Sequence, residues 1–180
     1  MRMRNKVRWW LPGVMLGLAF AGCGLSQAEP MRLYGALVAE PCTLVADDES
    51  ITLEFGTIVE KYLYLNQRTL GKNFQLRLTG CDVQTGSSVM LRFSGPASSS
   101  LPGLLALDDT SQAGGLAIGI ETPEGRALPF NKYGEPYPLT QGDNVLQLRA
   151  YVQGEPEALS QQKIRRGEFS AVATLSLMYP

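Results

Sequence analysis

Near the C-terminus the chain alternates strictly between two sets of side chains. Phe169, Ala171, Ala173, Leu175, Leu177 and Tyr179 fall on one side, and Ser170, Val172, Thr174, Ser176 and Met178 on the other. A period of two is the signature of a β-strand with one face turned to a core. The same signal opens the region after residue 30, where Met31, Leu33, Gly35 and Leu37 alternate with Arg32, Tyr34, Ala36 and Val38. Such terminal strands either pair within their own domain or leave a backbone edge for another chain to complete.

Between these ends the pattern breaks into short runs with strand character, at residues 31–45 (interrupted near Pro41), 51–58, 73–79, 89–94, 115–121, 144–151 and 168–179. Clusters of Gly, Pro, Ser and Asp separate them. Sustained helical periodicity is absent. Residues 95–115, with Pro96, three consecutive serines and Pro102, read as a loop carrying one short edge strand, and residues 155–162 as one or two helical turns. The expected fold is an all-β sandwich.

The first residues change what counts as the domain. Arg2, Arg4, Lys6 and Arg8 precede an apolar run over residues 9–21, the pattern of a secretory signal peptide. That run is well short of the roughly 20 residues a spanning helix needs. Small-x-small cleavage patterns end at Ala21 and at Ala28, and the second is preferred. A third reading makes Cys23 a lipidated N-terminus, although Phe20 stands where Leu is usual. Cleavage after residue 28 leaves 152 residues, one domain's worth, with 12 basic against 17 acidic residues and a net charge of −5. Nucleic acid and anionic membrane are poor partners for such a surface.

Export also bears on Cys42 and Cys81, an even pair once the leader is gone. An oxidising compartment favours one disulfide over two free thiols. The chain has no His, and two distant Cys do not make a zinc site. Without His to act as base, the acids Asp47, Asp48, Glu49, Asp108 and Asp109 read as solvated loop residues rather than catalytic groups. Residues 114–119 lack a phosphate-loop pattern and alternate as a strand, and Arg165 and Arg166 read as an exposed turn before the last strand. No enzyme activity, cofactor or small-molecule substrate is expected.

Three segments together carry a resemblance to a known family. The N-terminal alternation continues into GALVAEPCTL, with Gly35 seven residues before Cys42, and the second cysteine closes a strand reading FQLRLTGCD. Gly167 is the fourteenth residue from the C-terminus and Tyr179 the penultimate one. The chain resembles subunits of bacterial chaperone-usher pili over its whole mature length, and is most similar to the minor, adaptor-type pilins of P pili.

That resemblance implies an incomplete immunoglobulin-like sandwich lacking its final strand and completed by a donor. It divides the chain into a signal peptide (1–28), a donor-strand arm (29–40) and a pilin domain (41–180). Met31, Leu33, Gly35 and Leu37 would be the donating side chains. Gly167, Phe169, Ala171, Ala173, Leu175, Leu177 and Tyr179 would line the acceptor groove, and the carboxylate of Pro180 would be gripped by a chaperone. The implied partners are a periplasmic pilus chaperone, an outer-membrane usher and neighbouring subunits, with transit through the periplasm to a cell-surface pilus. A terminator at the base of the fibre is the alternative role. A two-domain adhesin would need a further receptor-binding domain for which 152 residues leave no room. One departure from the family's pattern is Glu29, where an apolar or small arm residue is usual.

The cysteine pair gives the first test. Alkylation of the unreduced protein followed by mass spectrometry should label neither Cys42 nor Cys81. Cys42→Ser should lower the protein's steady-state level, because closing that loop is worth about 4 kcal/mol, a large part of an ordinary domain's stability.

Overall fold

A computed structural model of the chain describes residues 40–180. The signal peptide, both cleavage sites, Cys23, Glu29 and the arm residues Met31, Leu33, Gly35 and Leu37 lie outside the described residues.

The longest strand, β7 (Gly142–Gly154), organises the first sheet, because its apolar residues recur at every second position over several turns of the pleat. Leu146, Leu148, Ala150 and Val152 are buried, while Val145 and Gln147 between them are exposed. It pairs with β2 (Lys72–Cys81) on one side and β5 (Leu116–Glu121) on the other. Two-residue strands, β1 (Thr43–Leu44) and β4 (Leu105–Ala106), complete a five-stranded sheet ordered β1-β2-β7-β5-β4. Register sets Phe74 against Leu148, Leu76 against Leu146, and Ile118 against Val152, so one face becomes continuously apolar.

The second sheet is ordered β6-β3-β8, with β3 (Ser88–Ser94) between β6 (Tyr137–Pro138) and β8 (Thr174–Met178). Val89, Leu91 and Phe93 of β3 are buried, and β8 sets Leu177 opposite Leu91 and Leu175 opposite Phe93. Phe93 meets Phe74 of the first sheet edge-on, with ring centroids 6.4 Å apart and planes at 77°. The two apolar faces thus close into the all-β sandwich expected from the pattern. Every strand pair in both sheets is antiparallel.

The outer face of β5 is buried as well. A Cβ at Gly119 would fall 2.2 Å from the ring of Tyr151, so only glycine lets that ring lie across the strand. The guanidinium of Arg68 covers the ring at 4.0 Å from its centroid. Arg68 also pairs at 2.9 Å with the Glu121 carboxylate, which is only 4% exposed and lies 3.7 Å from Arg149. A buried carboxylate stripped of such partners would carry a large desolvation cost.

Cys42 and Cys81 form the expected disulfide and are both buried, tying the lead-in to β1 to the end of β2. The loop over residues 95–115 carries β4 as its short strand, and the turn anticipated over 155–162 is helix α2 (Pro156–Ser160), with Pro156 at its first position.

Four features differ from the sequence reading. Residues 51–58 join no ladder among the described residues, because no described strand runs beside them, and Gly56 interrupts them with a φ of +66°. The last strand is a ladder only over Thr174–Met178; residues 168–173 bond instead to an irregular stretch. A two-turn helix, α1 (Glu60–Asn66), and the short β6 were not anticipated; α1 buries only Leu63, too little to leave a helical period.

The fourth is Asp48, which is not a solvated acid. A single 3-10 turn (Ala46–Asp48) turns it inward, where it accepts hydrogen bonds from the Arg77 backbone N–H at 2.7 Å and from the Arg77 guanidinium at 2.8 Å and 3.0 Å. Hydrogen bonding from Arg77 outweighs desolvation and holds the Asp48 carboxyl below the usual aspartate range.

Because the folded state favours the ionised form of Asp48, its contribution is whole above the ordinary aspartate value of about 3.9 and is lost as pH falls through the lower folded value. Asp48→Asn should therefore lower the melting temperature by a few degrees near neutral pH. The gap to wild type, followed by calorimetry across pH, should close below pH of about 4.

Candidate functional site: an open apolar groove

Two stretches of backbone that pair with nothing on their facing sides among the described residues flank one groove. On one wall, residues 50–58 make no backbone-to-backbone hydrogen bond among the described residues. Ile51, Leu53 and Phe55 alternate along it and Ile58 follows three residues on, the last three of these half-buried. On the other wall, residues 168–173 lead into β8, whose partner β3 lies on one side only. The carbonyls of Glu168 and Ser170 accept from Gln112, Ala113 and Asp108 at 2.8–3.0 Å, and Ser170 N–H donates to Ser111 Oγ at 3.1 Å. The backbone groups of Phe169, Ala171 and Ala173 alternate to the opposite edge and have no backbone partner among the described residues.

The space between the walls has a volume of about 1450 Å³ and is floored by Leu63, Ala113, Leu116, Ile118 and Ile164. A second cavity of about 220 Å³ reaches past Phe55 toward Phe74, Phe93 and Leu175, so the groove opens into the space between the two sheets. Phe55 and Phe169 approach across the groove, with ring centroids 6.2 Å apart.

Electrostatics hold the walls rather than supply chemistry. Arg166 donates through Nε to Glu60 Oε2 at 2.6 Å and pairs through its terminal nitrogen with the other oxygen, linking the approach to β8 with α1. Hydrogen bonding from Arg166 holds the Glu60 carboxyl below the usual glutamate range. Arg165 donates to the carbonyls of Gln112 at 2.6 Å and Ala113 at 3.3 Å. Both arginines are exposed, as a turn would be, yet each fixes one end of a groove wall. The described residues contain no cluster of acidic, His or Cys side chains able to hold a metal.

The predicted acceptor residues divide by position. Phe169, Ala171 and Ala173 line the groove, and Leu175 lines the deeper cavity with Ala171 and Ala173. Leu177 and Tyr179 are half-buried against the core at the far end of β8, outside the groove lining. Pro180 is exposed. Burial, followed by the charge of Glu40, raises the Tyr179 hydroxyl above its ordinary value. The facing wall over residues 50–60, with Phe55, Val59 and Glu60, was missed. Its alternation was visible, but nothing local said that its partner would be absent.

Gly167 has a separate role. Its φ is +144°, and a Cβ there would lie 2.4 Å from Gln112 Cβ and 3.0 Å from Ala113 N. The glycine thus lets the stretch that binds the groove wall from behind come close enough to bond Glu168.

A two-sheet, disulfide-tied sandwich with an edge unpaired among the described residues over an apolar groove is the fold of a pilin. The fimbrial protein family model matches residues 31–180, and the chain belongs to that family. It is a structural subunit and not an enzyme. Its relatives include the fimbrial adapter PapK of Escherichia coli, 30% identical over 175 residues that cover 93% of this chain and 97% of that protein. Fimbria A protein of Serratia marcescens is 29% identical over 167 residues, covering 90% and 93%. The crystal structure of the P pilus rod subunit PapA has the same fold, with a TM-score of 0.68 at 24% identity over 78% of this chain and all of that one.

Gly167→Ala should strain the backbone and push the stretch over residues 112–113 away, at a cost of about 2 kcal/mol. The check is a lower midpoint in chemical denaturation, accompanied by faster amide exchange at Gln112 and Ala113.

Proposed function

We propose that this subunit is a minor, adaptor-type member of a chaperone-usher pilus and that its groove is a receptor for one β-strand. A periplasmic chaperone lends that strand first, and the N-terminal arm of another subunit replaces it at the outer-membrane usher. Added strands gain affinity and register from main-chain bonds and selectivity from alternate side-chain pockets. The observation that carries the reading is the pair of unpartnered backbone edges facing one apolar groove. In the same scheme the arm of this chain, through Met31, Leu33, Gly35 and Leu37, fills the groove of another subunit. Each fully buried large side chain on the arm would contribute about 1.5–3 kcal/mol. Giving and receiving on different surfaces produces an open head-to-tail chain rather than a closed ring.

Adaptor is favoured over terminator by the openness of the groove. A terminator needs an acceptor that no arm can enter, whereas here the apolar space runs along the wall from Ile51 to Val59. The relative PapK carries the name of an adapter. The proposal includes export by the signal peptide over residues 1–28, passage through the periplasm and residence on the cell surface.

Two substitutions separate receiving from giving. Ala171→Glu puts a carboxylate on the groove wall without a partner, so the subunit should lose chaperone co-purification and be degraded. Leu33→Asp should leave the chaperone complex at wild-type level yet block incorporation of the subunit into pili. A Leu33→Asp protein that fails to accumulate with its chaperone would mean that the arm is an internal strand, and the donor role would fall.

A further inference from the structure

Helix α1 separates two apolar surfaces. Leu63 faces inward and helps floor the groove. Away from Leu63, Tyr62 and Leu65, three apart and therefore neighbours along the helix, are 39% and 75% exposed, and Val59, the residue just before the helix, is 61% exposed. Leu70, in the connection to β2, is 82% exposed. Single exposed apolar residues are ordinary on a protein surface, but two on one short helix, with Val59 at its start and Leu70 soon after its end, form a ridge. The ridge is continuous with the groove, because Val59 also lines it.

The geometry points to this ridge as a second docking surface, covered by the folded domain of the same subunit whose arm fills the groove. The inference rests on the donor-strand reading above. All strand pairs in both sheets are antiparallel, and a strand added to β8 in the same sense runs from the Tyr179 end toward Gly167. Its C-terminal end, which continues into the donor's own domain, leaves the groove beside Arg166, and Arg166 is bound to Glu60 of α1. In a donor built like this chain, five residues carry the backbone from Leu37 to the disulfide-bonded Cys42. Fully extended, they span about 17 Å. A domain of about 140 residues has a radius of gyration of about 14 Å. The donor's domain is therefore held too close to stand clear of the groove's end, and the surface it meets there is the exposed side of α1.

Site-specific photo-crosslinking in purified, assembled pili tests this, with p-benzoylphenylalanine placed singly at Leu65, at Phe169 in the groove, where it replaces one aromatic side chain by another, and at Val145 on the exposed side of β7. The Phe169 probe should capture another subunit through its arm. The Leu65 probe should capture the same subunit, with the attachment mapping by peptide sequencing to its folded domain and with about tenfold more product than the Val145 probe gives. Capture at Phe169 with no excess at Leu65 over Val145, or attachment at Leu65 confined to the donor's arm, overturns the docking surface and leaves the donor-strand reading intact. No subunit captured at Phe169 overturns the donor-strand reading itself, and the docking surface with it.

Discussion

A β-strand carries hydrogen-bonding groups along both edges, and among the described residues two such edges face one apolar groove without a partner. Water can satisfy the exposed N–H and C=O groups, so each main-chain bond made by an inserted strand gains only about 1 kcal/mol net. Apolar side chains removed from water gain more, roughly 25 cal/mol for every Å² buried. The two effects divide the work: side chains supply most of the affinity, and the backbone edge dictates where along the groove they sit. Phe55, Ile118, Ala171 and the cavity behind them give an inserted side chain somewhere to go, and the edges of residues 168–173 and 50–58 give its backbone a register.

The groove also depends on contacts that no ladder provides. One wall belongs to no sheet among the described residues, and the other is irregular before Thr174. Arg166 reaches 106 residues back to Glu60, Arg165 reaches 53 back to Gln112, and Arg77 reaches 29 back to Asp48. Each contact ties a segment at the edge of the sandwich to a more regular one. The surface pair Arg166–Glu60 contributes little to overall stability; its effect, like that of the Arg165 contact, is to position the segments that frame the opening.

Those ties explain which parts of the molecule could be read from sequence. The strands β2, β3, β5 and β7 alternate because each has one face on the core, and local alternation records that directly. The cysteine pair was legible because compartment and parity constrain it. Asp48 was misread because its partner lies on another strand and a loop acid looks the same whether or not an arginine waits across the turn. Residues 51–58 were misread for the opposite reason. They have the composition of a strand, yet pairing is a relation between two segments, and here the second is missing among the described residues. Helix α1 left little trace because only Leu63 turns inward.

In the donor-strand reading proposed above, the disulfide follows directly after the arm, and this would decide how the subunit behaves under tension. A pull along the fibre enters through the backbone ahead of Cys42. Without a crosslink the next structure to resist is β1, which contributes two residue pairs to β2 and would be peeled away one pair at a time. The bond to Cys81 passes the load around that weak seam and into β2, which is held to β7 through eight residue pairs. In that reading, a crosslink that in solution restricts the unfolded chain would become, in a fibre, the joint that carries mechanical load from one subunit's strand into the body of the next.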